Sequence, residues 1–95
     1  MTDITKLLAE FIGTFVFFAV ILETGQAIPI GIALIAVIYL IGPVSGGHVN
    51  PGVSLLMYKK GDIDLTTLLT YIPAQLAGAY CAYMWWSSRQ KVNKV

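Results

Sequence analysis

The sequence predicts an all-α membrane protein with three transmembrane helices and one re-entrant half-helix. Of its 95 residues, 57% are hydrophobic and only 12% are charged, a composition far too apolar for an ordinary soluble domain. No Asp, Glu, Lys or Arg occurs from Thr24 to Tyr58. A loop-forming stretch at residues 43–50 interrupts that run, and irregular backbone at membrane depth is tolerated only where protein buries it or where it lines a water-filled cavity. The loop therefore indicates a pore.

The first transmembrane helix is predicted over residues 4–22. Thr2 or Asp3 can cap its start, and its apolar run is interrupted by one acid, Glu10. The segment does not resemble a cleavable signal, because it contains this acid and ends in Glu23-Thr24-Gly25 without a small-X-small cleavage pattern. We expect it to stay in the protein.

The second transmembrane helix is predicted over residues 28–42. Gly25-Gln26-Ala27 reads as the preceding turn, with Pro29 just beyond it, and Gly42-Pro43 is expected to end the helix. The re-entrant loop then occupies residues 43–50.

The half-helix is predicted over residues 51–58. Asn50 is a preferred N-cap residue, and Pro51 suits the first helical position because its missing N–H would have been unpaired there. At about 1.5 Å rise per residue, such a helix covers only a third to a half of a hydrocarbon core about 30 Å thick.

The third transmembrane helix is predicted over residues 65–86. A charged surface turn precedes it, and Asp64 can cap its start. Trp85 and Trp86 lie where an aromatic belt is expected. The polar tail, residues 87–95, is expected to fray.

Composition also excludes several classes of function. The net charge of +1 provides no basic surface for nucleic acid. The lone Cys81 in an apolar segment is expected to be a packing residue, and it cannot form a disulfide within one chain. His48 has no Cys or acid at ligand spacing, so we expect no metal site. No cofactor is implied.

Three motifs carry a resemblance to a known family. The loop reads Ser45-Gly46-Gly47-His48-Val49-Asn50-Pro51-Gly52, the first helix contains Ala9-Glu10-Phe11-Ile12-Gly13-Thr14, and the last helix contains Tyr71-Ile72-Pro73-Ala74-Gln75-Leu76-Ala77-Gly78-Ala79. In this order they resemble the aquaporin and glycerol-facilitator family, whose loop signature is Ser-Gly-X-His-X-Asn-Pro-Ala. Gly52 stands where the family usually has Ala.

The resemblance covers nearly the whole chain but only one structural unit of the family. Family members carry two such units, in inverted orientation, in one chain, whereas this sequence has no internal repeat. The resemblance therefore implies half of an aquaporin fold. Either a second copy completes it as an antiparallel homodimer, or the sequence is the N-terminal half of a two-repeat chain. The initial Met and the basic, polar end favour the homodimer.

The function implied by the resemblance is passive passage of water or small neutral solutes such as glycerol, with no enzymatic chemistry. In an antiparallel pair, the helix start at Pro51 places roughly half a positive charge near the midplane, which disfavours cations. The Asn50 amide can donate to a passing oxygen, while the carbonyls of Gly46, Gly47 and His48 offer a ladder of acceptors. By resemblance, the His48 ring is neutral and structural.

Glu10 and Gln75 are expected to brace the loop. The resemblance implies that Glu10 is buried and accepts hydrogen bonds from the loop backbone, with Gln75 as a similar brace. Gly13 and Gly78 are expected to let helices approach closely. Because an intramembrane acid is by default a functional hypothesis, the alternative is a small dual-topology exporter in which Glu10 exchanges protons for a substrate.

The selectivity filter departs from the family pattern. A typical second repeat has Arg three residues after its Asn, and here that position is Val53. By spacing, each mouth of a homodimer would combine Ile30 of one chain with Ile38, Gly47 and Val53 of the other. This apolar ring should favour small neutral solutes with some apolar surface.

Charge distribution permits both orientations in the membrane. Three spans would place equal numbers of basic residues on the two sides, namely Lys6, Lys59 and Lys60 against Arg89, Lys91 and Lys94, and orientation follows Lys/Arg bias. We therefore expect a multi-pass protein of dual topology, in a plasma or inner membrane and in contact with its lipid. Family members assemble as four pores around a fourfold axis, so with closed symmetry the resemblance implies four antiparallel pairs, or eight chains.

Overall fold

The computed structural model describes residues 3–93, which form four helices and no strand. These are α1 (Ile4–Thr24), α2 (Ala27–Ser45), α3 (Pro51–Lys60) and α4 (Leu65–Asn93). The all-α prediction is therefore confirmed. By length and composition, α1 and α2 can each cross a membrane, whereas a membrane span at α4 stays a prediction.

Capping residues explain why three of the helices begin where they do. The Asp3 carboxylate accepts a hydrogen bond from Thr5 N at 3.0 Å, and the Asp64 carboxylate accepts one from Thr67 N at 2.8 Å. Hydrogen bonds from the hydroxyl and the backbone N–H of Thr67 lower the pKa of Asp64. The third cap is Asn50, described with the site. Thr2, the other candidate cap of α1, lies outside the described residues.

The predicted end of the second helix at Gly42-Pro43 is wrong, because α2 continues through Pro43 to Ser45. Pro43 lies in the last turn of the helix. The helix ends at the next left-handed residue, the cap Gly46, which directly follows Ser45 and whose N–H donates to Gly42 O at 2.9 Å. The re-entrant loop is consequently residues 46–50 and not 43–50.

The predicted end of the third transmembrane helix at residue 86 is also wrong, because α4 remains helical to Asn93. Its last turns contain no Gly or Pro. The Arg89 guanidinium lies 4.8 Å from the Trp85 ring centroid and pairs with the Glu23 carboxylate, which ties the ends of α4 and α1 together. Lys94 and Val95 lie outside the described residues. Smaller differences are that α1 extends to Thr24 and α3 to Lys60.

Helix α1 occupies the centre of the fold, with α2 and α4 packed against it and α3 packed against α4. Two glycines lie where the helices come closest. A β-carbon at Gly13 would lie 2.5 Å from Ile41 Cδ1, and one at Gly78 would lie 2.5 Å from Phe11 O. Both approaches depend on the missing side chain, as expected for membrane helices.

The interior contains at least as many polar as apolar side chains and the exterior is largely apolar, which is unusual for a soluble protein. Buried polar residues meet where α1, α3, α4 and the loop converge: Glu10, Thr14, Ser45, His48, Ser54 and Gln75. Large apolar side chains on the outer faces are exposed, including Ile28, Ile32, Ile35, Tyr39, Leu40, Leu69 and Tyr80. Such a surface suits lipid or neighbouring helices rather than water.

Candidate functional site

The re-entrant loop has a backbone that few residues adopt. Gly46 and Gly47 have φ of 93° and 66°, and Val49 has φ of 47°. Glycine tolerates this region readily, but a β-branched residue there is a genuine outlier and carries strain of about 1–3 kcal/mol. The surroundings of the loop must therefore hold Val49 in place.

Four consecutive N–H groups at the start of the loop are all paired within the chain. The Gly46 N–H closes α2, and Gly47 N donates to Ser45 Oγ at 3.3 Å. His48 N donates to Glu10 Oε2 at 3.1 Å, and Val49 N donates to Glu10 Oε1 at 2.8 Å. These bonds draw the donor side of the backbone toward α1.

The carbonyl groups of the same loop are left free. Ser45 O accepts a hydrogen bond from the Tyr71 hydroxyl at 2.7 Å. Within residues 3–93, no hydrogen bond reaches the carbonyls of Gly46, Gly47 or His48. Gly46 is exposed, whereas Gly47 and His48 are buried. A buried backbone acceptor without a partner is costly, so an external donor would stabilise the loop.

Glu10 is the centre of the hydrogen-bond network, and its side chain is fully buried. In addition to the His48 and Val49 N–H groups, its carboxylate accepts from Ser45 Oγ at 2.6 Å and from Gln75 Nε2 at 2.9 Å. All four partners donate, two to each oxygen. The group therefore joins the loop to α1, α2 and α4.

Gln75 connects this carboxylate to the half-helix. Its Nε2 also lies 2.8 Å from Ser54 Oγ, which in turn lies 2.8 Å from His48 Nδ1. The edge of the His48 ring packs against Tyr71, with centroids 5.2 Å apart. The imidazole is thus fixed on two sides.

The half-helix begins directly after the loop and is ten residues long. Asn50 caps α3 by accepting a hydrogen bond from Gly52 N at 2.6 Å, and Pro51 occupies the first helical position. The Asn50 side chain is exposed, and within residues 3–93 its amide nitrogen has no partner. Ten residues make α3 about 15 Å long, half of a hydrocarbon core of about 30 Å.

A cavity of about 760 Å³ lies beside the loop. Its lining combines apolar residues, loop residues and charged residues: Val44, Val53, Met57, Gly46, His48, Tyr71, Lys6, Lys60, Asp62 and Asp64. The cavity is therefore bordered both by loop residues with unpaired backbone carbonyls, Gly46 and His48, and by apolar side chains.

The predicted filter residues separate into two groups. A β-carbon at Gly47 would lie 3.3 Å from Ile38 Cα, so these two residues are neighbours, and Val53 lines the cavity. Ile30 lies eight positions before Ile38 on α2, about 12 Å along the helix axis. The fold of one chain does not bring it to the other three.

Sequence reasoning missed the roles of Ser45, Ser54 and Tyr71. Each is buried and bonded to a partner that lies 21 or more residues away: Ser45 to Glu10, Ser54 to Gln75, and Tyr71 to Ser45. The one signal available in the sequence was the position of Ser54 one turn after Asn50, which places it on the same face of a short helix.

Among the described residues, no group of three or more His, Cys, Asp or Glu side chains could hold a metal ion.

Comparison with known proteins gives consistent matches over most of the chain. The family model described as Major intrinsic protein matches residues 1–92. The chain is 38% identical over 86 residues to Glycerol uptake facilitator protein-like 6 of Lactiplantibacillus plantarum, a match that covers 81% of this chain and 40% of that protein. It is 39% identical over 83 residues to Aquaporin-5 of Sus scrofa, covering 75% and 31% of the two chains.

A third relative, Aquaporin Z of Brucella melitensis, is 34% identical over 94 residues, covering 83% of this chain and 41% of that protein. This chain therefore spans less than half the length of the curated relatives it matches. No solved structure gives a significant match to it.

Proposed function

Because this chain belongs to the major intrinsic protein family, whose members are integral membrane channels rather than enzymes, we propose that it forms a passive transmembrane channel. The permeating species are water and small neutral solutes such as glycerol. The pore lies between two inverted copies of the chain. In this arrangement α4 is the third membrane span, and the protein is multi-pass.

The observation that carries this proposal is the one-sided hydrogen bonding of the loop. Its N–H groups are paired with Glu10 and Ser45, while the carbonyls of Gly46, Gly47 and His48 have no partner within residues 3–93. Irregular backbone at membrane depth persists only where it is satisfied by protein or by water. Water or a solute hydroxyl in the adjoining cavity supplies the missing donor.

A second, inverted copy supplies what one chain lacks. Helix α3 covers about half of the membrane thickness, and the matched relatives are more than twice as long as the part this chain matches. Inverted repeats related by a twofold axis in the membrane plane are a recurrent design of transport proteins. Two facing half-helices would complete one continuous pore.

At the centre of such a pore, the Asn50 amide and the start of α3 act together. Each half-helix N-terminus carries roughly half a positive charge, and each exposed Asn50 amide nitrogen is free to donate to a passing oxygen. Neutral molecules are accepted there, while cations, including hydronium, are repelled.

The apolar filter determines the class of solute. Val53 lines the cavity of one chain, Ile38 and Gly47 are neighbours in the same chain, and Ile30 of the second copy completes the ring in this arrangement. Without an Arg at the position of Val53, the mouth has neither fixed donors nor a local positive charge. It therefore favours small neutral solutes with some apolar surface over strict water selectivity.

The competing hypothesis is proton-coupled export through Glu10. A carboxyl group that exchanges protons with the bulk needs access to water, yet this one is fully buried and accepts from four donors. That arrangement favours the structural role and the passive channel.

The test is stopped-flow light scattering on liposomes that contain only this polypeptide. After a sucrose challenge, the channel gives faster shrinkage than empty liposomes, and after a glycerol challenge it gives faster recovery of volume. Neither rate depends on a pH gradient. Flux that requires a pH gradient would support the exporter, and no flux with purified chain, restored by another polypeptide, would support a missing second half.

A further inference from the structure

We infer that the His48 imidazole carries its proton on Nε2 and donates it to a hydroxyl or water oxygen in the cavity. This makes the side chain of His48 a solute-binding group, in addition to its backbone carbonyl. The identity of the ligand, a small hydroxyl-bearing neutral solute, rests on the proposed channel function. The position of the proton follows from hydrogen bonds within the chain.

The derivation begins at Glu10, whose oxygens fix the orientation of the Gln75 amide. Each carboxylate oxygen already accepts from a backbone N–H, of His48 or of Val49, so the group acts as an acceptor. The Gln75 atom 2.9 Å from Oε1 must then be the amide nitrogen, because two acceptors at that distance would repel each other. The amide oxygen of Gln75 is left without a partner among residues 3–93.

The orientation of Gln75 fixes the direction of the next hydrogen bond. Its nitrogen has two hydrogens, and Ser54 Oγ, 2.8 Å away, receives the second. The hydroxyl hydrogen of Ser54 then needs an acceptor, and His48 Nδ1 lies 2.8 Å from the oxygen. Nδ1 therefore accepts, and a neutral imidazole whose Nδ1 accepts carries its proton on Nε2.

The unpaired ring nitrogen belongs to a residue of the cavity wall. His48 is 7% exposed and lines the cavity together with Gly46, and Nε2 has no hydrogen-bond partner among residues 3–93. A β-carbon at Gly46 would lie 3.0 Å from Nε2, so the glycine leaves the approach to this nitrogen open. A largely buried N–H without a partner is costly, and the occupant of the cavity can satisfy it.

The chemistry of the cavity matches a hydroxyl group. Gly46 and His48, which line the cavity, have backbone carbonyls that can accept hydrogen bonds, and Nε2–H of His48 donates one. A hydroxyl both donates and accepts, so water and polyols can use both kinds of group. Glycerol is accordingly the probe for the test.

Nitrogen NMR can observe the proton directly. His48 is the single histidine of the chain, so full-length protein labelled with ¹⁵N-histidine gives one pair of ring signals. In reconstituted protein at neutral pH, we expect a protonated Nε2, an unprotonated hydrogen-bonded Nδ1, and a shift of the Nε2 signal when glycerol is added. A proton on Nδ1, or an Nε2 signal that does not respond to glycerol, would overturn the inference.

Two substitutions extend the test to permeation. His48→Phe keeps a ring but removes the donor, and we expect the glycerol permeability to fall about fivefold, the factor that one neutral hydrogen bond of about 1 kcal/mol represents. Ser54→Ala keeps the imidazole but removes the partner of Nδ1, so both tautomers should appear and the glycerol permeability should fall less. An unchanged glycerol permeability in folded His48→Phe would contradict the inference.

The outcome for the channel is separable from the outcome for His48. If wild-type liposomes show no flux but the Nε2 signal responds to glycerol, the proposed channel is refuted while the binding role of His48 is supported. If liposomes conduct glycerol and Nε2 does not respond, the channel stands and the binding role is refuted.

Discussion

At the scale of single residues, Glu10 shows how one side chain shapes a distant segment. It binds the N–H groups of His48 and Val49, which follow it by 38 and 39 residues. Val49 has a positive φ that is costly for a β-branched residue, and its N–H bond to the carboxylate helps to offset that cost. The same bonds keep the donor side of the loop away from the cavity.

Replacement of Glu10 should therefore affect assembly before transport. Glu10→Gln keeps one oxygen but presents an NH₂ group to two donors, and we expect a folded protein with reduced flux. Glu10→Leu leaves the loop N–H groups unpaired at a cost of about 1–3 kcal/mol each, and we expect misassembly. Size-exclusion chromatography and thermal unfolding in detergent measure assembly and stability, and liposome flux measures transport.

Glu23→Gln is the matched control, because Glu23 is the other acid of α1 and pairs with Arg89 at the partly exposed end of the helix. Exposed ion pairs contribute only about 0–1 kcal/mol, so this variant should behave like the wild type. If Glu10→Leu were as stable and conductive as Glu23→Gln, Glu10 would have no bracing role.

At the scale of helices, the positions of two glycines determine how close α1 comes to its neighbours. A β-carbon at Gly78 would meet the backbone of α1, at Phe11 O and Phe15 N. One at Gly13 would first meet Ile41 Cδ1, the end of a flexible side chain. The α1–α4 contact is therefore less tolerant than the α1–α2 contact, and it also places Gln75 against Glu10.

Alanine substitution of each glycine should show which helix contact is more sensitive to an added methyl group, measured as loss of stability. We expect Gly78→Ala to destabilise the protein by about 1–3 kcal/mol, the range of overpacked cores, and to weaken the Gln75 bond to Glu10. Gly13→Ala should cost less because Ile41 can rotate away. Thermal unfolding in detergent measures both variants.

Gly31→Ala provides the control, since a β-carbon there meets nothing within 4 Å and alanine favours the helix. It should be neutral or slightly stabilising within one chain. Equal stability of Gly78→Ala and Gly31→Ala would show that the α1–α4 distance is not limited by Gly78.

At the scale of the whole molecule, the two ends carry similar basic charge. Lys6 and Lys60 line the cavity at one end, and Arg89 contacts Glu23 at the other. Between these ends the outer faces are apolar. Such a molecule has no strong charge signal for one orientation.

We predict that both orientations insert and that a single orientation does not conduct. Reporter fusions at the C-terminus should be active on both sides of the membrane. A variant that loses Lys91 and Lys94 and gains two Lys in the 59–62 turn should insert one way and lose flux. Lys91→Arg is its charge-conserving control, and full flux from the variant fixed in one orientation would contradict the antiparallel pore.

The predicted assembly is four antiparallel pairs around a common axis. Two identical half-units make the twofold axis of each pore exact in symmetry, and closed symmetry is the rule for homo-oligomers. Native mass spectrometry in detergent should therefore show an eight-chain species that dissociates through pairs.

Two results would contradict this assembly. One is a stable complex with an odd number of chains, and the other is a particle in which all N-termini lie on one face. Either result would support the alternative that a separate polypeptide supplies the second half of the pore.

Much of the secondary structure was accessible from the sequence because its signals are local. Asp3, Asn50 and Asp64 each precede a helix, and the helices begin directly after them. The ends of two helices, at Pro43 and at residue 86, were predicted wrongly because they do not depend on local signals alone. Pro43 falls in a last turn that tolerates it, and Arg89 gains partners from Trp85 and from Glu23 of another helix.

The sequence by itself determined the helical class, the short helix after Asn50 and the family, because hydropathy, capping and motif order are properties of neighbouring residues. Only the tertiary structure decided which atoms of the loop are paired and which are free. The bonds of Glu10, Ser54 and Tyr71 join residues 21 to 65 positions apart. They form because Gly13 and Gly78 allow α2 and α4 to approach α1, and no local pattern encodes those distances.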